Sequence, residues 1–570
     1  MATGLDGTFT NDNRVTLQAQ WDLAAAQDKA LAIVEPGTYK LTCTGSGDTR
    51  CCLTPGDPTI RYELWLGPGV ELKLAGSQVT DVLNVGPLIR ISNHSGGGYI
   101  GWPYGAPTVR AQGGRLWGNT ANQPGWTSAS GQDGSRYGQA RQHMGIYGRD
   151  TIAGGGSHNW VIDNIEISDF FGNAMFWMAD ADDGLHPPTI ASTSNVHWTR
   201  IKTDRVGEGL LWSGLYRSSM RHCTAIARSG ISIGDFHEPA TSTEGYCEDL
   251  EAVVADGNGT YSIGGAVCDV YGSASIVVKN LYGRGVNCLL QCHGNLSVGQ
   301  PTELECGTVV CDGIVADDCG SYVVLWGQKG NITIRNIVVD GMRTGTTSPT
   351  LGGLSNTISG QFSLTLENCR LDDATNIACD GAGIFNINNV RMSCLSGWTS
   401  HAMGAGGGTS PVLNLSNVVA TGYPIGLLFS GVSSPTGRMV NCDFSACTSI
   451  KIMQDTATLA SLEIPDGLNG SAPSSYLLGQ TVQDTKPIQG LNAISGFWTN
   501  GATYTTLPTG HKNQRLRISV INNGTATFAP SSTLKLAGNT SVDVTSPDVI
   551  DFFYDTANGY WREVARSINH

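Results

Sequence analysis

The chain has 570 residues, 40% of them hydrophobic and only 14% charged, with 75 glycines and a formal net charge of −14. This composition excludes a disordered chain and a mainly helical one, because exposed helix faces need Glu, Lys and Arg; many short strands and tight turns suit it better. The acidic balance and the lack of any basic run exclude a nucleic-acid partner and an anionic membrane surface, and leave a neutral sugar better tolerated than a polyanion.

The N-terminal segment, residues 1–40, holds "NDNRVTLQAQWDLAAAQDKALAIVEPGTYKL". It predicts capping residues at Asn11, Asp12 and Asn13, and a helix with apolar positions at Leu17, Trp21, Ala24 and Ala25. A strand follows, ending in the turn Pro36-Gly37. A helix there would cover the open end of a repeat fold. No apolar run opens the chain, so no signal peptide is visible, and no apolar stretch has the ~18 residues that membrane insertion requires.

Residues 41–455 read as a solenoid, interrupted at about 98–150 by a Gly/aromatic insertion too irregular for a coil. From Trp160 onward one pattern returns: "WVIDNIEIS", "NVHWTRIKT", "SIVVKNLYG", "ITIRNIVVD", "LTLENCRLD", "FNINNVRMS", "LNLSNVVAT". Registered on one column, the units fall at Asn164, Arg200, Ala225, Ala252, Asn280, Gly313, Asn336, Asn368, Asn389, Asn417 and Cys442. Each unit is too short for a domain, and its strands alternate apolar and polar. Coils of this length, with no helical periodicity between strands, predict an all-β chain built as a parallel β-helix. Asn in one column fits a stacked turn whose amides form a ladder.

A second strand recurs between these units: "AMFWMADADDG", "GLLWSGLYR", "GISIGDFHE", "TYSIGGAVCD", "NCLLQCHGN". Aligned on Trp177, Trp212, Ile233, Ile263 and Leu290, it sets Asp180, Phe236 and His293 in one column. Residues 456–490 read as a linker. Residues 491–570 read as a small antiparallel β-domain with turns at Asn522-Asn523-Gly524 and Asn558-Gly559. The 16 cysteines show no C-x-x-C pair or zinc spacing and read as buried free thiols.

Four groups carry candidate chemistry. In "GDFHE", Asp235 and His237 share one strand face and Glu238 opens the turn that Pro239 enforces; acid/base work on a glycan needs such paired carboxylates. The alternative is a solvated strand end. In "ADADDGLHPP", Asp180, Asp182 and Asp183 are either catalytic or a Ca²⁺ site, with spacing unlike an EF-hand; a bland acidic turn is the alternative, and no other metal or cofactor is implied. Gln291 and His293 in "LLQCHGN" are candidate substrate contacts. Glu208, Asp249, Glu251 and Asp269 are possible second carboxylates. Trp102, Trp117 and Trp126 of the insertion, with Trp177, Trp212 and Tyr216 of the wall, are candidate sugar platforms or packing residues.

The entry segment with its "PGTY" resembles that of the pectate-lyase-like β-helices of phage tailspikes and depolymerases. The closing "DVIDFFYDTANGYWREVARS" is similar to the small β-domain that ends many phage tail proteins. This resemblance implies a right-handed parallel β-helix, assembled as a homotrimer on a virion tail, beside other tail proteins, and acting outside the cell on a bacterial surface polysaccharide. "GDFHE" is similar to the D-P-H-E motif of alginate C5-epimerases, with Phe236 in place of Pro and Ser232 in place of Tyr. "CHG" is similar to the Gly-His-Gly of polygalacturonases. The leading expectation is a glycoside hydrolase. A polysaccharide lyase or epimerase acting on a uronate glycan, and a non-catalytic glycan-binding tail fibre or adhesin, stand as alternatives.

Overall fold

The computed structural model describes residues 1–568 apart from loops and turns, the longest at 101–108, 125–142, 152–159, 181–195, 255–265, 294–304, 464–476 and 479–492. Along a number of strand positions, among them 176–180, 208–213, 225–227, 234–237, 269, 271, 291 and 293, it describes the backbone alone. The chain forms two compact units, Met1–Val323 and Val324–His570.

In the first unit, strands Leu31–Ile33 and Gly37–Leu41 pair in parallel with Tyr62–Leu66 and Val70–Leu74. These pair with Val109–Gln112 and Arg115–Trp117, and the stack continues through Trp160–Asp163, Glu166–Ser168, Val196–Thr199 and Lys202–Val206. Ser218–Ala227, Glu244–Val254, Ser275–Arg284 and Glu305–Cys319 follow. A second wall stacks Ile89–Arg90, Ile146–Thr151, Asn173–Asp180, Glu208–Ser213, Gly234–His237, Ala266–Tyr271 and Cys288–His293, again all parallel. In the second unit, Lys329–Met342, Gln361–Asp372, Ile384–Ser393, Val412–Thr421 and Thr436–Val440 form the first wall. Thr350–Gly353, Asn376–Cys379, His401–Ala405, Ile425–Phe429 and Ile450–Gln454 form the second. The architecture is that of a parallel β-helix: the strands of these walls find their backbone partners in neighbouring coils.

One backbone feature explains the recurring sequence pattern. In Ile384–Ser393, Phe385 and Ile387 are buried and then Val390 and Met392, a spacing of two, three and two. Strict alternation would break there. Asn389, with φ 52°, takes up the extra residue in a left-handed bend and restores the inward phase. Ile332, Ile334, Ile337 and Val339 repeat the spacing, as do Leu364, Leu366, Cys369 and Leu371. Each such side chain contributes roughly 1.5–3 kcal/mol when fully buried, so the phase shift is strongly enforced. The outward amides form the anticipated ladder: Asn389 Nδ2 donates to Asn368 Oδ1 at 2.8 Å, and Asn441 Nδ2 to Asn417 Oδ1 at 3.4 Å.

The left-handed residues are Asn164, Arg200, His222, Asp249, Asn280, Gly313, Asn336, Asn368, Asn389, Asn417 and Asn441. The sequence column therefore slips at three rungs, where Ala225, Ala252 and Cys442 replace His222, Asp249 and Asn441. Two of these bends carry no asparagine, and apolar alternation alone cannot locate the extra residue.

Part of the 98–150 stretch is regular. Val109–Gln112 and Arg115–Trp117 are a full rung, with Gly113 and Gly114 at positive φ where later rungs use Asn. Strands Ser461–Glu463 and Leu477–Leu478 lie within 456–490 and pair in parallel with the preceding rung. The helix runs Arg14–Ala26 and buries Leu17, Trp21 and Ala25. Trp21 Nε1 donates to the Glu63 carbonyl at 3.1 Å. Asn13 makes no side-chain cap; its Oδ1 instead accepts from the Asp6 N–H at 2.6 Å, pinning the entry strand.

The C-terminal segment has its own core, with Phe528, Phe552, Leu534 and Trp561 buried. It is mixed: Ala493–Phe497 pairs in parallel with Arg515–Val520, which pairs antiparallel with Val549–Asp555. The hairpin Val549–Asp555 to Tyr560–Ser567 turns at Gly559, φ 68°, as the sequence predicts. Asn522, Asn523 and Gly524 lie outside the described residues. The 13 described cysteines are all buried and free. Burial pushes the Cys223 thiol up to about 12. Among the described residues, no helix is long and apolar enough to cross a membrane.

Candidate functional site

The second wall of the first unit positions the residues that the sequence singled out. Its register sets Leu211, Asp235, Asp269 and Gln291 side by side on four successive strands. Two residues further along, Ser213 pairs with His237, and Tyr271 with His293. Positions 269 and 291 alternate with the buried Cys268, Val270, Leu290 and Cys292. By strand register and alternation Asp235, Asp269, Gln291, His237 and His293 therefore occupy positions on one face of the wall. Adjacent strands lie ~4.8 Å apart, so two carboxylate-bearing positions are immediate neighbours, with two imidazole-bearing positions two residues further along.

Other predicted positions are set apart. Trp177 and Trp212 are register partners of each other and of Phe236, in the column of the buried Val270 and Cys292. That places them on the strand face opposite the Asp235 row. The alignment of Trp212 with Ile233 was three residues out of register. Asp180 pairs with Thr151 at the far end of its strand. Phe176, not Asp180, shares the row of Leu211. Four residues separate Asp180 from that row, about 13 Å at the ~3.3 Å rise of a strand, so Asp180 does not join the cluster. Glu238, Asp182, Tyr216, Trp102 and Trp126 lie outside the described residues. Trp117 is half-buried on the first wall, with Lys73 Nζ 3.5 Å and the Arg115 guanidinium 4.6 Å from its ring centroid. Both cations compete with a sugar for that ring.

A groove of about 490 Å³ opens on the first wall, lined by His222, Thr224, Asp249, Glu251, Asn280 and Tyr282 above the buried Leu250. His222 Nδ1 stands 2.8 Å from Asp249 Oδ2, and Asn280 Nδ2 donates to Asp249 Oδ1 at 2.8 Å. Thr224 Oγ1 donates to Glu251 Oε2 at 3.3 Å, and Tyr282 is the register partner of Glu251. The side chains of His222 and Asp249 remain 50% and 43% exposed. Sequence reasoning named Asp249 and Glu251 but missed His222 and Tyr282. The available signal was His222 standing in "MRHCTAIAR" where other rungs carry Asn. Among the described residues, no cluster of three or more His, Cys, Asp or Glu is placed to hold a metal ion.

No protein-family model and no curated protein sequence matches the chain. Among solved structures, it is similar to the catalytic domain of a GH87 α-1,3-glucanase at 12% identity and a TM-score of 0.37, over 81% of this chain and 70% of that one. It is similar to the A-module of the mannuronan C-5 epimerase AlgE4 of Azotobacter vinelandii at 13% identity and 0.29, over 83% and 98%. A third is an exopolygalacturonase from Thermotoga maritima, at 8% identity and 0.20, over 95% and 93%. Likeness this distant assigns no reaction, and the reading of the site rests on its own residues.

Proposed function

We propose that this chain is a polysaccharide-degrading enzyme, a glycoside hydrolase whose carboxylates are Asp235 and Asp269. The observation that supports it is their direct register pairing on neighbouring strands of one wall. Cleavage of a glycosidic bond needs one carboxylic acid to protonate the leaving oxygen and a second carboxylate to act as base or nucleophile. Adjacent rungs supply both groups from rigid strands. Gln291 in the same row, and His237 and His293 in the next, supply hydrogen-bonding groups for sugar hydroxyls and for holding a proton in place. The terminal segments favour a tailspike-type depolymerase, a homotrimer acting on bacterial capsule, exopolysaccharide or O-antigen. Light scattering at three times the mass of one chain is the expected result for that assembly.

The test is a panel of bacterial surface polysaccharides with products read by mass spectrometry. The expected product is a saturated oligosaccharide, one water heavier than the unsaturated product of a lyase. Asp235→Asn and Asp269→Asn should each lower the release rate by ~10²–10⁴. If both variants kept the parent rate, the pair would be no more than the polar edge of the wall. An unsaturated product would move the assignment to lyase chemistry on a uronate.

A further inference from the structure

The groove at His222, Asp249 and Tyr282 lies on a different wall from the Asp235 row, and the reaction just proposed makes no use of it. Resting on the reading that the substrate is a polysaccharide, we infer that this groove is a second saccharide-binding site, which holds neutral hexose units of the polymer away from the reacting carboxylates. Its volume of about 490 Å³ is that of a small-molecule site. Its chemistry suits hydroxyl groups. Asp249 is fixed from two sides by His222 and Asn280, and Glu251 is oriented by Thr224. Each carboxylate has lone pairs beyond those used within the protein, so each can accept from sugar hydroxyls. Tyr282, beside Glu251, offers an aromatic surface to the apolar face of a pyranose.

The charge pattern selects against a uronate. Among the described residues, no Lys or Arg lines the groove. The cations one residue before His222 and Asn280 are Arg221 and Lys279, and these lie 4.8 and 5.7 Å from the Tyr246 ring centroid, flanking Glu248 in register. They are engaged there, leaving two carboxylates to face the ligand. Nor does the backbone require this composition. Asn serves the same left-handed bend at Asn368, Asn389 and Asn417, where the Asn389 amide donates to Asn368 and the Asn417 amide to Asn388. His222 and Asp249 give the bend nothing that Asn would not, so a ligand accounts for them better than the turn does.

The test is affinity electrophoresis of the full chain in gels cast with dextran, galactomannan or alginate, in an Asp235→Asn background that removes turnover. Asp249→Asn places in the bend the residue that other rungs use there, and Tyr282→Ala trims a partly exposed ring, so both should fold; circular dichroism and the thermal midpoint check this. The expected result is retardation by at least one neutral polymer, weakened tenfold or more by each substitution, with no retardation by alginate. Undiminished retardation in both variants, retardation by alginate alone, or no retardation in the neutral gels would overturn the inference. A chain that binds neutral polymer through Tyr282 yet releases no oligosaccharide with Asp235 intact would sink the hydrolase reading and leave the groove standing. A chain that releases oligosaccharide while Tyr282→Ala binds undiminished would do the reverse.

Discussion

In the second unit, the left-handed bend of successive rungs carries Asn336, Asn368, Asn389, Asn417 and Asn441; in the first it carries Asn164, Arg200, His222, Asp249, Asn280 and Gly313. The backbone demand is the same in both. Asparagine meets it at low conformational cost and also bonds the rung below, so an all-Asn row is what stability alone would produce. The flanking outward row differs too. Beside the bends of the second unit stand Arg370 and Arg391, register partners of each other; beside those of the first stand Thr224, Glu251 and Tyr282. At His222 and Asp249, where the bend departs from Asn, the wall carries a groove. The contrast separates the residues that answer to the fold from those that the proposed saccharide would meet.

The largest expected effect concerns the histidines of the two units. His143 in the first unit is 1% exposed, accepts the Phe171 N–H at Nδ1 (3.0 Å) and contacts the Gly118 carbonyl at Nε2 (2.9 Å). Burial lowers its pKa from 6.5 to about 4. His401 in the second unit is only half-buried, and its pKa is lowered by burial too. Above pH ~6.5 both folded and unfolded chains hold His143 neutral, and its contribution is fully present. As pH falls from ~6.5 to ~4 the unfolded chain takes a proton that the folded one refuses, and about 3 kcal/mol is lost. Hydrogen exchange between pH 7 and 4 should show the first unit losing protection before the second. His143→Gln should shrink that difference, and equal loss in both units would break the comparison.

Asn389→Ala comes next. It places an ordinary L-residue at φ 52° and removes the bond to Asn368. The bend costs ~1–2 kcal/mol and the lost bond about 1, so a drop of about 2 kcal/mol is expected in denaturant titration. Asn389→Gly should cost less, because only the ladder bond is lost. If Ala and Gly behaved alike, the bend would not be what selects Asn.

The smallest effect on stability, and the sharpest comparison, is His222→Asn. It converts a bend of the first unit into the type used by the second. Stability should change by no more than ~0.5 kcal/mol, the range of a surface substitution, while retardation by neutral polysaccharide falls. A loss of stability without a loss of binding would make the His222–Asp249 contact part of the scaffold.

The sequence by itself determined the parallel β-helix, since apolar pairs placed around an outward Asn and repeated every few tens of residues are local signals of a phase-shifted strand. It also determined the N-terminal helix, through Leu17, Trp21 and Ala25, and the closing hairpin at Gly559. Asp235, His237 and His293 were legible as polar residues on alternating strands. Only the tertiary structure decided which of them meet. Asp235 and Asp269 become neighbours through the register of two strands, and that register depends on insertions of variable length between rungs. A slip of three residues was enough to bring Asp180 in wrongly and to set Trp212 beside Ile233. The bends at His222 and Asp249 were hidden for a related reason: a left-handed φ is a property of the backbone, and without Asn to mark it, only the packing of buried residues on either side shows where the phase changes.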